Sequence, residues 1–175
     1  MIYVDDYAHH PEELKALVSG ARSMFADKKL VLVFQPHLFT RTRDLADGFA
    51  ESLDMADEVF LLPIYPAREL PIEGVTSELI LNKMKLVKKQ IVTKEELLNE
   101  VRNKVDKDTV FVTAGAGDID ALLPELKKKI EQKKAHVFVR FAKRQITGMP
   151  SSAVYIGDLV KNEADLQFLD LLYAG

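Results

Sequence analysis

The run Leu30-Val31-Leu32-Val33-Phe34 constrains the fold more than any other stretch. Five successive apolar residues without polar alternation belong to a strand covered on both faces, which is the habit of parallel sheets flanked by helices. Val59-Phe60-Leu61-Leu62 and Thr109-Val110-Phe111-Val112-Thr113 repeat the pattern, and a shorter strand opens the chain at Ile2 to Asp5. Between these strands the apolar period changes to the helical one. Leu14, Leu17, Val18, Ala21 and Phe25 recur at helical spacing after Pro11, a residue suited to a first helical position; Leu45, Phe49 and Leu53 do so between Thr40 and Met55. Further helices are predicted from Thr76 to about Met84, from a capping box at Thr93 and Glu96 through Val105, and from Asp118 to about Lys133, with a short strand from Gln90 to Thr93. Alternating strands and helices give an α/β fold, a Rossmann-like, doubly wound, mostly parallel sheet with flanking helices.

With 175 residues, 47% of them hydrophobic, the chain can bury a sizeable core. A formal charge of -3 provides no broad cationic field, which argues against a nucleic-acid or membrane-surface binder. There is no cysteine, hence no disulfide or thiolate chemistry. No apolar run reaches the roughly 18–20 residues of a membrane span, and no basic stretch followed by an apolar core marks a secretion signal. The character changes after Lys134, which divides the chain into a domain at residues 1–134 and a C-terminal extension at 135–175. In the extension, His136 to Arg140 reads as a strand, Gly148-Met149-Pro150-Ser151-Ser152 as a turn, and Asp158 to Leu172 as an amphipathic stretch. Its apolar side is expected to dock on this domain or, by self-association, on a second copy.

Chemistry concentrates at two strand ends. Asp5-Asp6-Tyr7-Ala8-His9-His10-Pro11 follows the first strand with little chain ahead of it, as though the start were a domain boundary. Strand ends facing helix N-termini line the ligand crevice of open α/β sheets. The cluster suits carboxylates on a metal or a ribose, imidazoles on a carboxylate or phosphate, or an imidazole base; such concentration at a strand end favours a site over the plainer reading, in which Asp5 and Asp6 cap the helix beside solvated histidines. Gln35-Pro36-His37-Leu38-Phe39-Thr40-Arg41-Thr42-Arg43-Asp44 leaves the central strand at the same edge. Arg41 and Arg43 diverge by about 200° on a helix, so one is expected to meet an anion and the other to pair with Asp44 or Asp47. Pro63, Pro66, Pro71 and Gly74 mark a connection long enough to reach over a site. Gly115-Ala116-Gly117 is either an anion-binding turn or a tight turn with close packing, and no complete nucleotide-hydrolysing motif occurs. Read from residues alone, Asp5, Asp6, His9, His10 and His37 also allow a metal-dependent phosphoesterase, and a non-catalytic nucleotide-binding module is the rival from another class.

These stretches, with Tyr65-Pro66-Ala67-Arg68-Glu69, Pro71-Ile72 and Ala114-Gly115-Ala116-Gly117-Asp118-Ile119, resemble in order and spacing the C-terminal domain of the Mur ligases, over about Ile2 to Lys134. The resemblance is nearest to the branch that joins L-alanine to UDP-N-acetylmuramate, ahead of the branch that recycles murein peptides. It implies a ligase of peptidoglycan synthesis in the bacterial cytoplasm, which uses ATP and Mg²⁺ to make an acyl phosphate that the alanine amine attacks. The N-terminal and central domains of such ligases hold the UDP-sugar, the P-loop and the magnesium ligands, so this part alone is expected neither to ligate nor to hold a cofactor tightly. Residue by residue, the resemblance implies Asp6 on the ATP ribose, Tyr7 and His9 on the amino-acid and phosphate side, and Arg41 near the acceptor carboxylate, with His37 among the substrate-binding groups and His9 and Arg41 carrying catalysis. It places no metal ligand in this chain. Leu38 departs from the arginine of many relatives, leaving Arg41, His37 or another domain to complete the clamp.

Overall fold

The computed structural model describes residues 1–131 and, as backbone, 137–141. The chain runs β1 (Ile2–Asp6), α1 (Pro11–Met24), β2 (Lys29–Phe34), α2 (Phe39–Asp44), α3 (Ala46–Leu53), β3 (Glu58–Leu61), α4 (Glu78–Leu81), β4 (Lys89–Ile91), α5 (Lys94–Lys104), β5 (Thr109–Ala114), a 3-10 turn (Asp118–Leu122), α6 (Leu123–Glu131) and β6 (Val137–Phe141). The six strands lie in the order β4-β3-β2-β5-β1-β6, and every pairing is parallel. The expected doubly wound sheet is what forms. The predicted strand after Lys134 is β6, so the sheet's edge lies beyond the division drawn at residue 134. The predicted turn at Gly148-Met149-Pro150-Ser151-Ser152 and the amphipathic stretch Asp158 to Leu172 fall outside the described residues.

Why the central strand reads as unbroken apolar sequence is visible in its packing. Leu30, Leu32 and Phe34 join Leu14 and Val18 of α1, Phe49 and Leu53 of α3, and Ile80 of α4 on one face of the sheet. Val31 and Val33, pointing the other way by the strand's period of two, join Phe60, Phe111, Leu97 and Val101 of α5, and Leu126 and Ile130 of α6. Phe34 and Phe49 meet with ring centroids 5.3 Å apart. Each of these fully buried large side chains contributes roughly 1.5–3 kcal/mol. No helix among the described residues is long and apolar enough to cross a membrane.

Three helices depart from their predicted spans. The helix expected over 40–55 breaks at Leu45 (φ -118°, ψ 16°), giving a six-residue α2 and a separate α3. The helix expected to reach Met84 ends at Leu81, because Met84 N–H is split between the carbonyls of Ile80 and Leu81 and the Asp54 carboxylate takes the next two amides, Lys85 and Leu86. After Gly117 the chain makes a 3-10 turn before α6; Pro124, with no N–H to continue the preceding turn, sits where an α-helix tolerates it, at the start. The Thr93–Glu96 capping box forms as predicted, with Thr93 Oγ1 accepting from Glu96 N–H at 3.2 Å and Glu96 accepting from Thr93 N–H at 2.7 Å.

Candidate functional site

Strands β1, β2 and β5 end level with one another, since both Asp6 and Phe34 register with Ala114. From that edge β2 departs over the α1–α3 face and β5 over the α5–α6 face. Divergence of two neighbouring strands is what opens a crevice at the carboxyl edge of such a sheet.

The first cluster divides in two. Asp5, inside the sheet, is buried and accepts from Thr113 Oγ1 at 2.8 Å; Tyr3 Oη completes the group 3.0 Å from the same hydroxyl. Neither Asp5 nor Asp6 caps α1, whose N-cap is His10. Asp6 shapes the loop instead, accepting Ala8 N–H at 2.7 Å through Oδ1. Tyr7 is exposed, and its ring lies edge-on to His9, centroids 5.3 Å apart. His9 Nδ1 lies 3.0 Å from the Tyr7 carbonyl, which can only accept, so the imidazole proton sits on Nδ1 and the Nε2 lone pair is left to receive another. Glu13 fixes the same residue by accepting its backbone N–H at 3.0 Å.

The second segment meets the first at the imidazoles: His9 and His37 approach edge to face with centroids 6.1 Å apart. Arg41 Nη1 is 3.3 Å from His37 Nδ1. A guanidinium only donates, so Nδ1 accepts and the His37 proton is on Nε2. Burial, the Arg41 charge and His9, in that order, hold the His37 imidazole below its ordinary pKa, against an opposing pull from Glu69. Arg43 turns outward to Asp44 at 2.7 Å, the divergence expected of two arginines two residues apart. Asp47 pairs with Lys83.

The sequence singled out no role for Tyr65, Glu69 or Gln35, yet all three build this edge. Tyr65 stacks on His37 at 5.7 Å, and its backbone joins that strand end by two bonds, Tyr65 N–H to Pro36 O at 2.8 Å and Leu38 N–H to Tyr65 O at 2.9 Å. Glu69 accepts Thr40 N–H at 3.0 Å and Thr40 Oγ1–H at 2.5 Å, bonds that keep its carboxyl below the usual range. Gln35 is buried; it donates to Asp118 Oδ1 and accepts Ile119 N–H, both at 2.8 Å. Burial would raise the Asp118 carboxyl, but bonds from Lys94 and Gln35 outweigh it and hold it low. The signals in the sequence for Tyr65 and Glu69 were the proline-rich connection and their stretch's part in the family resemblance, neither of which gave them a role.

Gly115 and Gly117 are explained by close packing. A Cβ on Gly115 would stand 2.9 Å from the Gln35 carbonyl, at a φ of +149°, and one on Gly117 would stand 2.5 Å from Gln35 Oε1 and 2.6 Å from Tyr65 Cβ. The grouping of Asp5, Asp6, His9, His10 and His37 required of a metal-dependent phosphoesterase does not form: Asp5 is turned to Thr113, and among the described residues no three His, Asp or Glu gather as a metal site. A cavity of about 440 Å³ lies at the opposite, amino-terminal edge, lined by Lys29, Glu58, Lys88, Lys89 and Lys104 among others. Lys29 and Lys104 are held there by Glu58 at 2.6 and 2.7 Å, so the opening is a clamp among β2, β3 and α5, remote from the imidazoles.

The Mur ligase family, in its glutamate ligase domain, matches residues 1–117. The UDP-N-acetylmuramate--L-alanine ligase of Flavobacterium johnsoniae is 52% identical over 132 residues, covering 75% of this chain and 29% of that protein. Its counterpart in Cytophaga hutchinsonii is 54% identical over 133 residues, covering 76% and 28%. Among solved structures, the UDP-N-acetylmuramate-alanine ligase of Thermotoga maritima superposes with a TM-score of 0.52 at 30% identity, covering 75% of this chain and 26% of that one. A murein peptide ligase from Psychrobacter arcticus, 19% identical over 77% of this chain and 28% of its own, shares the fold with a TM-score of 0.61. The chain thus spans under a third of the length of the curated relatives it matches.

Proposed function

The chain belongs to the Mur ligase family, and from that premise we propose that it serves as the C-terminal domain of a cytoplasmic, ATP-dependent ligase joining L-alanine to UDP-N-acetylmuramate. The observation that carries this reading is the meeting of His9 and His37, 6.1 Å apart, which merges the two chemistry-bearing strand ends into one surface. Identity near 50% to proteins named for alanine addition favours the alanine branch. In this reading Asp6 faces the ribose of ATP, a carboxylate being an acceptor of paired hydroxyls. Arg41, steered by His37, holds the acceptor carboxylate with a fork of donors. His9, its Nδ1–H held by the Tyr7 carbonyl, takes a proton at Nε2 from the alanine ammonium so that the amine can attack an acyl phosphate. Tyr7 shields the imidazole from water. Magnesium, which would neutralise phosphate charge in the complete ligase, is assigned, as the family resemblance implies, to the ligase's central domain. This chain contributes donors, acceptors and a base.

The test is a chimera in which this chain replaces the aligned C-terminal segment of the F. johnsoniae relative. ADP release that requires ATP, L-alanine and UDP-N-acetylmuramate together is the expected result. A folded chimera that releases ADP with none of these dependences, or not at all beside an active parent, would refute the reading.

A further inference from the structure

Helix α2 carries Arg41, yet its own sequence gives it no N-terminal cap. The cap position is Leu38, an apolar side chain with no acceptor, held at φ 72°, ψ 136°. That conformation is strained for a non-glycine residue and persists only where surroundings impose it. They do: Leu38 N–H is held by Tyr65 O, and Thr42 bonds back to Leu38 O through both its amide and its hydroxyl. Six residues are also too few for a helix to stand alone. The acceptor missing at Leu38 comes from Glu69, 29 residues beyond Thr40, whose carboxylate takes Thr40 N–H and Thr40 Oγ1–H.

We infer that Glu69 is a positioning residue for the acceptor amino acid: by capping α2 from the proline-rich loop, it sets the bearing of Arg41 toward the substrate carboxylate. The geometry that supports this is a closed circuit of Glu69 to Thr40, Thr40 to its chain neighbour Arg41, Arg41 to His37, and His37 stacked on Tyr65 of the same loop as Glu69. Displacing the carboxylate frees the first turn of α2, and Arg41 is the next residue. The Glu69 charge also opposes the Arg41 charge at His37, a smaller influence than that of Arg41. Glu69 need not touch substrate. The inference rests on the acceptor-side role proposed for Arg41.

The experiment uses the ligating chimera with Glu69→Ala and Glu69→Gln. Glu69→Ala is expected to raise the KM for L-alanine roughly tenfold, as loss of a charge-assisted bond would, while kcat stays within about threefold and the KM for ATP does not move. Glu69→Gln, which keeps one acceptor, should recover most of that loss. Amide exchange in the 175-residue chain supplies a readout independent of ligation: Glu69→Ala should speed exchange at Thr40 and Arg41 and leave β2 unchanged. Faster exchange with an unmoved alanine KM would make Glu69 a structural cap only and overturn the inference. Unchanged exchange would overturn the capping itself. A parent chimera that fails to ligate would instead bring down the functional reading, and this inference with it.

Discussion

Arg41 Nη1 stands 3.3 Å from His37 Nδ1, four residues back along the chain. This pair fixes the His37 tautomer and keeps a guanidinium at the carboxyl edge of β2. A second consequence is electrostatic, because a permanent cation beside an imidazole disfavours its protonation.

The His37 imidazole should therefore titrate below the ordinary histidine value, first because it is partly buried, then because of Arg41 and His9. Arg41→Gln should raise it toward that value. The unfolded chain then binds a proton that the folded chain refuses, so this group's share of stability is present above the ordinary imidazole pKa. It is lost as pH falls from there toward the lower folded pKa, and levels off below. Proton NMR titration of His37 in the two proteins checks the direction; an unchanged or lowered value in Arg41→Gln would contradict the pairing.

Leu38 occupies the position where the family resemblance leads one to expect arginine. Leu38→Arg should lower the KM for L-alanine several-fold in the chimera by adding a second cation beside Arg41. Steady-state kinetics with varied L-alanine would show it. A rise in KM would mean that the left-handed backbone at Leu38 turns the new side chain away from the acceptor.

Gly117 has no space for a side chain. Gly117→Ala would drive a methyl group into Gln35 Oε1 and Tyr65, and overpacking of this kind costs about 1–3 kcal/mol. For a chain of this size each kcal/mol lowers the melting temperature by roughly 2–4 °C. Calorimetry or thermal circular dichroism measures it, and an unshifted transition would show that the loop relaxes freely. Gln35→Leu should give a loss of similar size by stranding the buried Ile119 N–H.

The parts legible in the sequence are those decided locally. The apolar run of β2 follows from burial on both faces, and Thr93 with Glu96 is a contact three residues apart. Pro11, with Glu12 and Glu13 behind it, marks the start of α1 by the same local logic. The convergence of His9, His37 and Arg41 followed from knowing that both segments leave strands at one edge. What escaped were contacts between distant loops, such as Tyr65 on His37 and Glu69 on Thr40, which leave no periodicity and no short-range pairing. Asp5 and Asp6 look equivalent as neighbours, but the alternation of a strand sends successive side chains to opposite faces, and Asp5 is spent on Thr113 inside the sheet. The break at Leu45 was hidden because Leu45, Phe49 and Leu53 keep helical spacing across it.

The central claim is that one sheet edge serves two substrates, ATP through Asp6 and the amino acid through Arg41. It is tested most directly by measuring both KM values in the chimera carrying Asp6→Ala or Arg41→Ala. Asp6→Ala should raise the KM for ATP by roughly tenfold or more with that for L-alanine little changed, and Arg41→Ala should do the reverse, each being the loss of a charge-assisted contact. If both variants ligate with the parent's constants, or both raise the same KM, the assignment of the two strand ends to two substrates is wrong.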